Sequence, residues 1–167
     1  MIDSFSGRFS FLSNFYPCEI KHQGITYKSV EAYYVAMKVK GDQMIDGRFY
    51  PETDVREMIS MIKNPGDVKR FGRNKISLRK DWVDIKLSVM EWAVREKFKN
   101  ESLKEMLLST GDEELIEGNS FNDVYWGVCQ GQGLNYLGKI LMKIRAEINS
   151  REKKPSLEDI LFPRFDN

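Results

Sequence analysis

The sequence predicts a single domain that is mainly helical with a small β-sheet, and three observations carry that expectation. Apolar residues recur at helical spacing in stretches spread along the chain, as in Leu137, Ile140, Leu141, Ile144 and Ile148. Short aromatic segments near the start, broken by Pro17 and Gly24, read as strands and turns. A length of 167 residues with 41% hydrophobic and 12% aromatic content suits one globular unit with its own core.

Residues 2–27 are expected to form short strands carrying Phe5, Phe9, Phe11, Phe15 and Tyr16, with His22-Gln23-Gly24 turning the chain before Ile25-Thr26-Tyr27. Within them, Ser13 and Asn14 stand among aromatics, which fits a packed loop with local capping or a loop that faces a ligand. Ser29 is the N-cap of a helix expected to run to about Lys40 and to end at Gly41, with Val30, Tyr33, Tyr34 and Met37 along one side. Glu31 and Lys38 lie close to two turns apart and share a face beside that side. They read as a solvated pair or as groups pointing into a cleft.

Residues 41–51 read as loop without a strong motif, and a helix follows from about Glu52 to Ile62 with Val55, Met58, Ile59 and Ile62 inward. Asn64-Pro65 reopens the chain, with proline in a helix-starting position. The next segment is basic, with Lys69, Arg70, Arg73, Lys75, Arg79, Lys80 and Lys86 against Asp67, Asp81 and Asp84. It is a solvated face, or a set of cations for a phosphate beside the aromatic face of Trp82. The longest helix is expected over Trp82 to Lys99, with Ile85, Val89, Trp92, Ala93 and Phe98 in the core and Trp92 structural. Asn100-Glu101-Ser102 recaps the chain into a short helix from Leu103 to Ser109. Leu115-Ile116-Glu117 reads as a strand with Val124 to Val128 as its return partner, which puts Glu117 and Asp123 at the two shoulders of one turn.

Chemistry is densest from Gly118 to Arg145, where Asp123, Tyr125 and Trp126 come with Gly127, Gly131 and Gly133 just before the periodic run. Asn135 is the expected N-cap of that last helix. Gly138 inside it costs about 1 kcal/mol against alanine, so another backbone, a ligand or a crossing helix is expected close by. Gly131-Gln132-Gly133 ahead of the helix offers backbone N–H groups to an anion such as phosphate. Tyr136 stands where a dinucleotide fingerprint needs its third glycine, which excludes a Rossmann reading. Beyond Arg145 the helix is expected to fray through Arg151 to Pro155 into a tail, 151–167, that folds back on the domain or contacts a partner. No internal repeat or low-complexity segment is visible.

With 26 basic and 25 acidic residues the net charge is +1, which removes binding of nucleic acid by bulk charge but leaves room for a local patch. No apolar run approaches the ~20 residues needed to cross a bilayer, and Met-Ile-Asp-Ser-Phe lacks the features of a signal peptide, so a cytoplasmic protein is expected. Cys18 and Cys129, with His22 as the sole histidine, cannot assemble a soft-ligand metal cluster, and reduced thiols are expected.

The order Phe11-Leu-Ser-Asn-Phe15, Ser29-Val-Glu31-Ala-Tyr33 with Lys38, Gly72-Arg73, Trp82 with Lys86, Leu115-Ile-Glu117, Asp123-Val-Tyr-Trp-Gly127, Gly133-Leu-Asn-Tyr-Leu-Gly138, then Leu141-Met and Arg145, resembles the YbiA-like family, also called the NADAR superfamily. The resemblance covers nearly all of the chain to about position 148. It implies a mainly helical α+β domain with a small sheet, assigned to residues 1–150, and an N-glycosidase. Family members hydrolyse the bond between a ribose anomeric carbon and nitrogen, in riboflavin-pathway intermediates carrying ribose 5-phosphate or in ADP-ribose attached to guanine in nucleic acid. By position, Glu31 and Asp123 match the family's active-site acids, and Trp82 and Trp126 its aromatic walls. The chain departs from the pattern at Ala32, where some members carry histidine, and in the tail past position 150, which leaves the substrate open.

Breaking a ribosyl C–N bond passes through an oxocarbenium-like state, so the site needs negative charge near the anomeric carbon, a base for water and a proton for the leaving nitrogen. Asp123 is assigned to the water and the cation, and Glu31 to proton transfer or to the ribose hydroxyls, with the reverse assignment also open. Lys38, Arg73, Lys80 and Lys86 are the phosphate candidates, Arg73 being favoured for its bidentate geometry. Trp82 and Trp126 are expected to sandwich the base, each stack contributing ~1–3 kcal/mol. Asn14, Gly127 and Asn135 complete the expected substrate-binding set. No metal or redox cofactor is expected, and the expected partner is a small phosphoribosyl or ADP-ribosyl substrate, or ADP-ribosylated nucleic acid, with no membrane. Two other classes fit the same residues: a non-hydrolysing ADP-ribose or nucleotide-binding module, and a nucleic-acid binder using Lys69 to Lys86 with steep salt dependence.

Overall fold

The structure, a computed structural model, describes residues 1–152, so the tail expected past that point lies outside the described residues. The aromatic N-terminal stretch is not a strand. Gly7–Leu12 winds a 3-10 turn, because Phe11 and Leu12 are adjacent and both buried, and an extended strand sends neighbours to opposite faces. The hairpin begins only afterwards, with β1 (Ile20–His22) antiparallel to β2 (Ile25–Tyr27) around Gln23-Gly24.

Helix α1 (Val30–Ala36) starts at Ser29, whose Oγ accepts the Ala32 N–H at 3.0 Å. All seven of its residues are buried, which makes it the central helix. It ends well before Gly41: Lys38 and Val39 close it with i to i−3 bonds to Val35 O and Ala36 O, both 3.1 Å, and the carbonyls just past its end are taken by another segment, Arg79 donating its N–H to Lys38 O at 3.1 Å and its guanidinium to Met37 O at 3.3 Å. The stretch expected as loop holds a second hairpin, β3 (Gln43–Ile45) and β4 (Arg48–Tyr50), turned by Asp46-Gly47. Periodicity misses it because its burial is inverted: Gln43 is buried while Met44 and Phe49 are exposed.

Around α1 pack α2 (Glu52–Met61), α3 (Pro65–Lys75) and α4 (Trp82–Lys97). Asn64 caps α3 through the Gly66 N–H at 2.8 Å, and Asn100 caps α5 (Glu101–Leu108) through Leu103 N–H at 3.1 Å. The final helix, α6 (Tyr136–Glu152), packs on α4 and α5, and the fraying expected after Arg145 does not occur, since it stays helical to Glu152. Buried Arg145 ties it to the preceding loop, donating to Thr110 Oγ1 at 2.7 Å and Glu113 O at 2.8 Å.

The return strand expected after Glu117 is absent in that form. β5 (Gly118–Asn119) pairs with β6 (Val128–Cys129) in parallel, so the intervening loop crosses over instead of turning back. Leu115 bridges to Ile2, also in parallel. Gly138 has the neighbour its cost implied: a Cβ there would stand 2.1 Å from Leu115 O, so α6 lies directly on the backbone leading to Glu117. Among the described residues no helix is long and apolar enough to cross a membrane.

Candidate active site

The loop 120–127 is held by backbone N–H groups on one side and by the Asn119 side chain on the other. Four successive N–H groups at the start of α6 donate into it: Leu134 to Val124 O, Asn135 to Gly127 O, Tyr136 to Tyr125 O and Leu137 to Trp126 O, at 2.8 to 3.3 Å. The N–H groups of residues 134–137 are therefore engaged by this loop and do not face an anion. Gly131 and Gly133 instead serve a tight turn in which Cys129 and Gln132 exchange backbone hydrogen bonds. At the loop's other end the Asn119 amide donates to Asp123 O at 2.8 Å, and its Oδ1 accepts from Asp123 N at 3.0 Å.

Asp123 is fixed in turn, since Oδ1 accepts from Trp126 N–H at 2.9 Å and from Tyr125 N–H at 3.2 Å. That leaves Oδ2 as the oxygen able to meet a ligand.

The second loop, Ser13-Asn14-Phe15, is docked on the start of α1, where Asn14 O accepts the Glu31 N–H at 3.1 Å. The Nζ of Lys97, a buried lysine of α4, donates to Ser13 O at 2.7 Å. Burial pushes Lys97 down to about 8. The Asn14 amide points to Met90 Sδ at 3.5 Å.

These loops, with α1 and α3, enclose a cleft of about 380 Å³. Glu31, Asp123 and Glu117 all line it, with Asn14, Lys38, Lys69, Tyr34 and Trp126, and exposed Phe15 and Phe121 stand at its rim. Glu31 is only 8% exposed, and burial raises its pKa; Lys69 and Lys38 pull the other way, and Asp123 adds to the rise. Burial lowers Lys38, whose Nζ lies 5.1 Å from the Tyr34 ring centroid. Glu117 is pushed up to about 7, first by burial and then by Asp123, and its Oε2 is buried without a hydrogen-bond partner among the described residues. Among the described residues no three His, Cys, Asp or Glu side chains are grouped so as to hold a metal ion.

The remaining expected residues stand elsewhere. Tyr34 sits between the two indoles, 4.9 Å from Trp82 and 5.7 Å from Trp126 by ring centroids and edge-on to both, so a base cannot lie between them. Trp82 is 5% exposed behind Tyr34, while Trp126 itself faces the cleft. Lys86 lies over the Tyr125 ring at 3.6 Å and does not line the cleft. Arg73 and Lys80 are exposed and do not line the cleft. The α3 cation that does so is Lys69, one turn before Arg73.

The Asn135 side chain is spent inside the protein, with Oδ1 accepting the Glu117 N–H at 3.1 Å and Nδ2 donating to Leu115 O at 2.9 Å. It caps α6 through its backbone carbonyl instead, which accepts Lys139 N–H at 3.0 Å. Gly127 is a packing position, because a Cβ would meet Glu117 O at 2.1 Å and Glu117 Cγ at 3.0 Å. Of the charged residues lining the cleft, Glu117 and Lys69 are the two missing from the sequence-based site. For Glu117 the available signal is its place at the shoulder opposite Asp123.

Two loops and the central helix of a mainly helical α+β domain thus bring three carboxylates and two lysines to one small cleft. Residues 4–149 match the model of the NADAR domain. The chain is 38% identical over 141 residues to N-glycosidase Npun_R5314 of Nostoc punctiforme, across 83% of this chain and 85% of that protein. It is 36% identical over 139 residues to N-glycosidase YbiA of Shigella boydii, across 81% and 79%. It is also 38% identical over 141 residues to riboflavin biosynthesis protein VVA0006 of Vibrio vulnificus, of which the match spans only 35%. The NMR structure of the Escherichia coli protein YbiA superposes with a TM-score of 0.74 at 31% identity, covering 93% of this chain and 90% of that one. The chain belongs to the NADAR family, and by class it is an N-glycosidase.

Proposed function

We propose that the cleft hydrolyses the bond between ribose C1′ and a base nitrogen in a phosphate-bearing substrate, as a cytoplasmic activity. The substrate is either a phosphoribosylated intermediate of the riboflavin pathway or an ADP-ribosylated base. The observation that carries the reading is that Glu31 and Asp123, far apart in sequence, open onto one cleft together with Lys38 and Lys69. Asp123, with Oδ1 fixed by two N–H groups, directs Oδ2 at the attacking water and at the positive charge developing on C1′. Glu31, at the start of α1, grips the ribose hydroxyls or moves a proton. Lys38 and Lys69 supply the cations for phosphate, and Trp126 with the rim aromatics Phe15 and Phe121 supplies faces for the base. Relatives named for riboflavin biosynthesis support the first substrate class.

The test is to incubate the purified chain with a phosphoribosylaminopyrimidine, with ADP-ribosylated guanosine and with NAD, and to follow released base or sugar by mass. Release from one of them supports the reading. Binding of all three without release would identify a non-hydrolysing module.

A further inference from the structure

The cleft holds a third carboxylate. The backbone of Glu117 is fixed on both sides: Asn135 Oδ1 accepts its N–H at 3.1 Å, and its carbonyl accepts Val128 N–H at 2.8 Å. Gly127 lies so close that an added Cβ would press on Glu117 Cγ. Its Oε2 is buried and has no hydrogen-bond partner among the described residues, an arrangement that disfavours a bare anion and suits a protonated carboxyl waiting for an acceptor. The charged groups facing it are Asp123 from the same loop, Lys69 from α3 and Lys97 from α4.

Glu31 has different company. It lies with Lys38 and Lys69, cations that favour its ionised form, and it is joined to the Asn14 loop through its backbone. Asp123 uses Oδ1 twice as an acceptor, so that oxygen cannot carry a proton to be given away. Of the three carboxyls, Glu117 alone combines an unpartnered buried oxygen with an adjacent carboxylate.

We propose that Glu117 is the acid that protonates the departing nitrogen, which leaves Glu31 to the ribose and Asp123 to the water; this rests on the reading of the cleft as an N-glycosidase site. The C1′–N bond breaks with its electron pair going to nitrogen, which takes the proton from Glu117. Water oxygen bonds to C1′ and passes a proton to Asp123. The products are the sugar with a free anomeric hydroxyl and the base with a new N–H. Glu117 is left as carboxylate and Asp123 as acid, and one proton exchanged through solvent restores both. An amine nitrogen departs poorly as an anion, so the donor governs the rate.

The experiment measures kcat/KM from pH 5 to 9 on a phosphoribosylaminopyrimidine for the intact chain and for Glu117→Gln, with ribose 5-phosphate affinity by calorimetry. The intact chain should lose rate above about pH 7, as its donor ionises. Glu117→Gln should be slower by about 10²–10⁴-fold and lose that alkaline limb, while ribose 5-phosphate affinity stays within about threefold of the parent, a change of ~0.7 kcal/mol. The proposal is overturned by a flat profile in the intact chain, by a variant that keeps both rate and limb, or by one that loses sugar phosphate affinity along with rate. Should the variant fail to fold, the profile of the intact chain decides. An intact chain inert on every N-riboside removes the glycosidase reading itself, an outcome distinct from the other three.

Discussion

Replacing Glu117 by glutamine should make the protein more stable and less active at once. In the folded state the carboxyl is pushed up to about 7, against an ordinary value of 4.5. The folded protein thus holds this proton more tightly than the unfolded chain does. The stabilisation is fully present below pH 4.5 and is lost as pH rises to 7. The full shift corresponds to about 3 kcal/mol, and solvent reaching the cleft reduces that to about 1–3 kcal/mol. Glutamine keeps the shape and removes the ionisation. Urea unfolding of both proteins at pH 5 and pH 8 should show a small difference at pH 5 and a gain of about 1–3 kcal/mol for the variant at pH 8, or about 2–4 °C in Tm per kcal/mol. A stability difference that is the same at both pH values would refute the assignment of a buried, proton-holding carboxyl.

Three further outcomes follow from other parts of the structure. Lys97, 2% exposed, is pushed down to about 8, so the intact protein should gain up to about 3 kcal/mol between pH 8 and 10.5 as this charge is shed, a gain that Lys97→Met should lack; parallel urea curves for the two across that window would contradict it. Gly138→Ala should lower stability by about 1–3 kcal/mol despite alanine's better helix propensity, because its Cβ would meet Leu115 O, and a raised Tm would show that contact to be wrong. Lys69→Ala should raise KM for a phosphorylated substrate about tenfold while Arg73→Ala changes it by less than about twofold, and steady-state kinetics showing the reverse order would move the phosphate to the outer face of α3.

What the sequence discloses, and what it hides, divides along physical lines. Ser29, Asn64 and Asn100 announce their helices because a cap is a local hydrogen bond between neighbours in sequence. Gly138 is legible as a close approach because its cost in a helix is local too, although the identity of the neighbour is not. The β3–β4 hairpin is hidden by inverted burial, which only contact with the rest of the protein explains. The parallel pairing of β5 with β6 depends on a crossover that turn signals do not encode. Choosing cations along α3 requires the rotation of the helix against α1, and so the sequence favours Arg73 where Lys69 faces the cleft. The two indoles read as facing walls, but Tyr34 fills the gap between them. Glu117 looks like a residue of an ordinary strand end, since what distinguishes it is that its buried oxygen has no hydrogen-bond partner among the described residues.

The central claim is that Asp123 and Glu31 act on one bound ribose. The most direct measurement pairs Asp123→Asn with Glu31→Gln in single-turnover release of base, alongside calorimetric binding of ribose 5-phosphate. In the first variant the amide oxygen would still accept the two N–H bonds that hold the loop, so the fold of the cleft is kept. The account predicts that base release falls by at least about 10²-fold in each variant, while sugar phosphate binding weakens by no more than about tenfold, or ~1.4 kcal/mol. Release of base at the parent rate by either variant would contradict it.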